Sequence, residues 1–150
     1  MVTHIRGHIH MRNYLTGVLL SLLIMLMLTA CEKESTTLLT DGIWTFEDMR
    51  TDSEESSVIS LVSLGEAMLT GATLEFHEDG TYVLQSALVE NPVGGQWQLV
   101  GDDRLILEPD GEDASTNHIE TLSRNKLTYW ESFSDAQMNT YKVTSTWIRD

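Results

Sequence analysis

Hydrophobic and polar positions alternate with period two through most of the chain beyond residue 40, and the rhythm breaks in two places. Ile43-Trp44-Thr45-Phe46-Glu47-Asp48-Met49 sets Trp44 and Phe46 against polar partners, as a half-buried strand requires. Between Asp52 and Leu69 the period lengthens. Val58, Leu61, Val62, Met68 and Leu69 share one helical face, Asp52 with Glu55 resembles a capping box, and Gly71 is placed to end the helix. Strand periodicity returns at Thr73-Leu74-Glu75-Phe76-His77, turns at Glu78-Asp79-Gly80, and continues from Thr81 to Leu88 with Tyr82, Leu84 and Leu88 on one face. Asn91-Pro92-Val93-Gly94-Gly95 reads as a break. Gln96 to Val100 and Arg104 to Glu108 form a second hairpin around Gly101-Asp102-Asp103. His118 to Leu122 and Lys126 to Phe133 form a third around Arg124-Asn125, and Thr140 to Ile148 is the last strand.

Eight strands joined by short links, with one helix between strands 1 and 2, predict an all-β fold over residues 41–150. An antiparallel up-and-down barrel, closed or nearly so, removes the sheet edges that otherwise invite aggregation. An open β-sandwich is the alternative, because strand counting does not prove closure.

The second break in the rhythm lies at the start of the chain. Arg6 and Arg12, with no acid among them, precede an apolar run from Tyr14 to Leu28, and Leu28-Thr29-Ala30-Cys31 follows. That order resembles the signal peptide and lipobox of a bacterial prolipoprotein. The resemblance implies that residues 1–30 are removed, that the Cys31 thiol carries acyl chains of the palmitate kind, and that residues 31–40 are a polar tether. An uncleaved transmembrane anchor is the alternative, but Thr16, Gly17 and Ser21 interrupt a run already short for a bilayer. Met11 is a second plausible start, and His4, His8 and His10 fall in the discarded part, so they are no metal site.

Cleavage makes the mature chain more acidic. All 23 Asp and Glu follow Cys31 against seven of the nine Lys and Arg, a formal charge of −16. Such a surface repels nucleic acid, so no nucleic-acid partner is expected. With its single Cys committed to lipid, the domain has no disulfide, thiol nucleophile or Cys-based metal site. Packing alone must hold the fold, and ten of the 11 aromatic residues lie between Trp44 and Trp147.

Gly42-Ile43-Trp44 opening the first strand, the inserted helix, Leu74 to Tyr82 as strand-turn-strand, and Gly95-Gln96-Trp97-Gln98-Leu99 occur in that order behind the lipobox. Together they resemble the lipocalin-like lipoproteins of the Bacteroidota, across essentially all of the mature domain. The resemblance implies that Trp44 plugs the closed end of the barrel and that Arg149 lies across its ring. The Thr-Asp-Tyr signature of later lipocalin strands is missing, which sets the chain apart from the typical secreted lipocalins and argues against a large cavity.

No catalytic constellation stands out, so no enzyme activity, cofactor or metal is expected. His77 and His118 sit near Glu75 and Glu120 and read as outward polar strand residues. Asp110-Gly111-Glu112-Asp113 lacks the spacing of a calcium loop. The inward set is Trp44, Phe46, Leu74, Phe76, Tyr82, Leu84, Trp97, Leu99, Leu105, Leu107, Tyr129 and Tyr141. An eight-stranded barrel so lined is either filled by its side chains or holds one small ligand. A ligand at the mouth would meet Tyr82, Leu84, Trp97, Leu99, Tyr129 and Tyr141, with Tyr82 and Trp97 at a rim because each follows a Gly-containing turn. Two functions follow: a membrane-anchored protein of the cell envelope, on the periplasmic or surface face of the outer membrane, that binds a small apolar or amphipathic molecule, or a scaffold for an envelope protein partner.

Overall fold

A computed structural model describes residues 34–88, 91–135 and 137–149. Residues 34–40 form a short helix, α1. Then come β1 (Ile43–Thr51), α2 (Ser56–Leu69), β2 (Thr73–Phe76), β3 (Thr81–Gln85), β4 (Val93–Val100), β5 (Arg104–Pro109), β6 (Ser115–Leu122), β7 (Lys126–Ser134) and β8 (Thr140–Ile148). Each strand pairs antiparallel with its neighbour in sequence, and β8 returns to β1, so the sheet is a closed up-and-down barrel of eight strands with α2 after the first. The open sandwich is thereby excluded. Ser35–Asp150 is a compact unit. Its strand ladder closes on itself around its own core, which is what a domain needs to fold alone.

Three local expectations change. The Pro92–Gly95 stretch does not interrupt the sheet, because β4 already begins at Val93 and Gly95 pairs with both Tyr82 and Pro109. Gly95 is required there, since a Cβ would lie 2.7 Å from Cε1 of the Tyr82 ring and 2.9 Å from Cα of Pro109. Asp52 does not cap α2. Its carboxylate accepts the Lys142 N–H at 2.7 Å, prolonging the β1–β8 ladder, and the helix starts four residues later at Ser56. Residues 34–40, expected as tether, are helical, and Leu39 is fully buried in the core. The packed domain therefore starts before residue 41.

The strands leave the barrel with two unlike ends. At one end lie the start of β1, the turns β2–β3, β4–β5 and β6–β7, the end of β8, and α1, whose Ser35 hydroxyl donates to Asp102 at 3.0 Å. At the other lie the β3–β4, β5–β6 and β7–β8 links and α2. The helix runs over this second end, where the Ser86 hydroxyl after β3 donates to the Met68 carbonyl at 2.8 Å. Val58 and Val62 are its buried residues, and Gly65 brings its backbone close to the Met49 sulfur of β1.

Candidate functional site

At the end where β1 begins, the Trp44 indole and two of the Arg149 nitrogens are held by backbone carbonyls. Trp44 is fully buried, and its indole Nε1 donates to the Leu39 carbonyl at 3.0 Å. The Arg149 guanidinium lies 4.3 Å over the Trp44 ring, donating Nε to the Arg124 carbonyl (2.7 Å) and Nη1 to the Leu38 carbonyl (3.1 Å). Gly42, at φ +116°, gives the Arg149 stem room, since a Cβ there would stand 3.3 Å from Cδ. This end is closed by one continuous packing of α1, β1 and the last residues of β8. Phe46 and Trp147 continue it inward, edge to face at 5.3 Å.

The six residues expected at a mouth divide between the two halves. Trp97 donates its indole N–H to the His77 carbonyl at 3.0 Å and packs edge-on against Phe76. It stands beside the β2–β3 turn, which closes at the same end as the start of β1, so it is not at the rim. Leu99 is buried opposite Leu105, next to the β4–β5 turn of that end. Tyr82 is also buried rather than at a rim, its ring laid across Gly95 and tilted against Phe76. Leu84, Tyr129 and Tyr141 are half-buried, and Tyr141 stacks on Phe133 at 5.9 Å near the last pairs of β7–β8.

Several inward residues lie outside the set expected from the sequence, among them Leu127, Asn117, Trp147 and Glu131. Trp147, 2% exposed, pairs with Leu127 and Phe46 in register, so its indole lies inside. Its Nε1 has no hydrogen-bond partner in full geometry, although it stands beside the Tyr129 hydroxyl. Glu131 is another. The β7–β8 register runs unbroken from Lys126↔Ile148 to Ser134↔Thr140, so Leu127, Tyr129, Glu131 and Phe133 share the inner face. The alternation Leu-x-Tyr-x-Glu-x-Phe was visible in the sequence and places Glu131 there.

Electrostatics follow from burial. The Tyr129 hydroxyl is pushed up to about 12, first by desolvation, opposed by its contact with the Trp147 indole N–H, with smaller upward contributions from Tyr82 and Glu131. Tyr82 is raised by burial and then by the fields of Asp110 and Glu112 in the β5–β6 link. Glu131 is raised above the usual carboxylate range by burial. The inner wall thus carries two neutral phenols and one reluctant carboxylate, with Asn117 and Ser145 also facing in, among apolar side chains.

Elsewhere, the outer wall carries Trp130, with His118 stacked on it at 4.2 Å and Lys142 Nζ 4.1 Å from its centroid. His77 lies 3.8 Å from Glu75. Among the described residues no three His, Cys, Asp or Glu side chains converge, and no helix is long and apolar enough to cross a membrane. Cys31 lies outside the described residues.

Fold and site together define a small closed β-barrel with one plugged end and one helix-covered end. No family model matches the chain. No curated protein matches it either. Among solved structures it is similar to a DUF4847 family protein from Bacteroides vulgatus, at 12% identity over 71% of this chain and 93% of the other, TM-score 0.44. It is also similar to a deswapped triple mutant of bovine odorant binding protein (16% identity, 73% and 72%, TM-score 0.47) and to that protein in complex with a selenium-containing odorant (16%, 77% and 72%, TM-score 0.48).

Proposed function

We propose that this chain is a lipid-anchored, non-enzymatic protein of a bacterial cell envelope whose barrel takes up a small apolar or amphipathic molecule from its helix-covered end. One observation carries it: the Trp147 N–H, buried on the inner wall, is left without a full hydrogen-bond partner beside the Tyr129 hydroxyl. Buried polar groups are nearly always satisfied, and an exception on a concave inner wall calls for a complement from outside the chain. The Trp44 and Trp97 indoles, by contrast, already donate to carbonyls.

The anchor fits this polarity. Ser35 is tied to Asp102 at the plugged end, and the four residues back to Cys31 span at most about 14 Å at full extension. A lipid on Cys31 would thus join the chain only a few residues before the Ser35–Asp102 contact. The test is native mass spectrometry of the chain purified from its source. A bound small molecule, released on unfolding, is the expected result; a bare chain with no saturable change in tryptophan fluorescence across fatty acids, sterols and amines overturns the reading.

A second reading is favoured by the outer side of α2, where Leu61 (61% exposed), Leu64 (59%) and Met68 lie one helical turn apart. In that case the barrel is a scaffold, and the helix meets an envelope protein. Replacing Leu61 and Leu64 by Ser then abolishes partner capture while leaving small-molecule binding intact.

A further inference from the structure

We propose that the exposed flank of α2, together with Leu88, is a docking surface for a cationic amphipathic helix of a partner protein. This rests on the second reading above and holds whether or not the barrel takes up a small molecule. The helix buries Val58 and Val62 against the barrel. Leu61, Leu64 and Met68 follow one another at helical spacing on another flank and stay in solvent, 61%, 59% and 49% exposed.

The strip is lengthened from outside the helix. The Ser86 hydroxyl, itself buried, donates to the Met68 carbonyl at 2.8 Å and accepts the Leu88 N–H at 3.2 Å, which pins Leu88 beside the last turn of α2. Leu88 is 67% exposed there. Four large apolar side chains from two segments thus share one surface, and contiguous patches of that kind mark interaction sites where single exposed leucines do not. From Leu61 to Met68 the strip rises about 10 Å, enough for two turns of a facing helix with apolar side chains at the same spacing.

Charge selects the occupant. Residues 51–103, which span α2 and β2 to β4, contain ten Asp and Glu and no Lys or Arg. Asp52, Glu54 and Glu55 stand exposed at the start of α2, and Glu66 lies within it. The cations of the adjoining strands are engaged on the outer wall. Arg50, near the end of β1, pairs with Glu120 at 3.9 Å, and Lys142, whose backbone N–H holds Asp52, lies 4.1 Å over Trp130. An anionic bilayer or a second copy of this chain brings charge of the same sign to this flank, whereas Lys and Arg beside an apolar stripe bring the opposite one.

Three amidated peptides of about four helical turns are titrated into the Ser35–Asp150 unit by calorimetry. One carries Leu at three- and four-residue spacing with Lys elsewhere, one has Gln in place of Lys, and one has the first composition with Leu scattered round the helix. The Leu-Lys peptide is expected to bind one to one, about tenfold more tightly than its Gln counterpart at low salt, with the gap closing as salt is added and the scattered peptide weakest. Leu61→Ser with Leu64→Ser should weaken it by about tenfold or more, whereas Ile59→Ser, on the opposite flank of the same helix, should leave it unchanged. Equal binding of the Lys and Gln peptides, or no binding of either, overturns the inference and leaves the second reading standing. So does equal binding of the scattered peptide, or a double variant that binds as the wild type does, since bulk charge attraction then accounts for the affinity. Phosphatidylglycerol and phosphatidylcholine vesicles, and sedimentation velocity of the unit alone, test the other occupants: vesicle capture or a dimer, lost in the double variant, overturns the inference in favour of a membrane or a second copy. The second reading is removed by a separate result, a double variant of the full chain that retains every partner of the wild type.

Discussion

The two ends of the barrel are made from similar residues and solve opposite problems. At the plugged end a tryptophan, an arginine and a short helix hold one another, with the Trp44 N–H, the Arg149 Nε and Nη1 donors and the Leu38 and Leu39 carbonyls engaged. Just inside the plug the Trp147 N–H stays without a partner, nearer the other end the Glu131 carboxylate does, and leucines of α2 face solvent. Mutual engagement marks the contacts that hold the fold, and the groups left without it are those available to meet something else.

The contrast is broken most directly at its strongest point. Trp44→Ala should lower unfolding free energy by about 3–5 kcal/mol, as for other buried large rings, whereas Leu64→Ala on the exposed face of α2 should change it by no more than about 0.5 kcal/mol. Urea unfolding of both variants checks this, and equal losses would dissolve the distinction. Next in size is Arg149→Ala, expected to cost about 1–2 kcal/mol from its ring contact and its two carbonyl bonds. Arg149→Lys should recover little of it, since an ammonium cannot span both carbonyls while lying flat on the indole.

Glu131→Gln is the smallest and the only one with the opposite sign. The folded-state pKa of Glu131 lies above its unfolded value, so the favourable contribution is complete below the unfolded pKa and is lost as pH rises through the folded one. At pH 7 the ionised side chain is a burden that Gln lacks, and the variant should melt slightly higher. Near pH 3 the two proteins should melt together. A difference that persists unchanged in acid would show that desolvated charge is not its cause.

Much of this was written in the alternation of residues. Trp44, Phe46, Leu74, Phe76 and Leu105 sit inside because period two put them on one face, and the eight strands appear in the order expected. What escaped notice was set by contacts distant in sequence. Leu39 lies in a helical stretch of residues 34–40, too short for a periodic signal, and is fixed by the tryptophan five residues on. Asp52 carries the right side chain for a helix cap but is claimed by Lys142, ninety residues away. The paired glycines before Gln96 read as a break because the purpose of Gly95, admitting the Tyr82 ring, is visible only once β3 and β4 are side by side. For the candidate site, Tyr82 and Tyr129 were named from the sequence and Glu131 was not, because a charged residue in a strand is ordinarily assigned to the outside.

The ladders around the barrel are of very unequal length. Nine residue pairs join β7 to β8 and six each join β1 to β8 and β4 to β5, whereas only three join β1 to β2 and four each join β2 to β3, β3 to β4, β5 to β6 and β6 to β7. The circumference therefore has a stiff arc and a yielding one, and spontaneous breathing should be concentrated where the fewest bonds must break at once. Amide hydrogens of β2 and β3 should exchange with deuterium through low-energy local openings, while those in the middle of β7 and β8 wait for global unfolding. The yielding arc adjoins the C-terminal end of α2, so the same short ladders that cost the wall rigidity give that helix a hinge side on which to move.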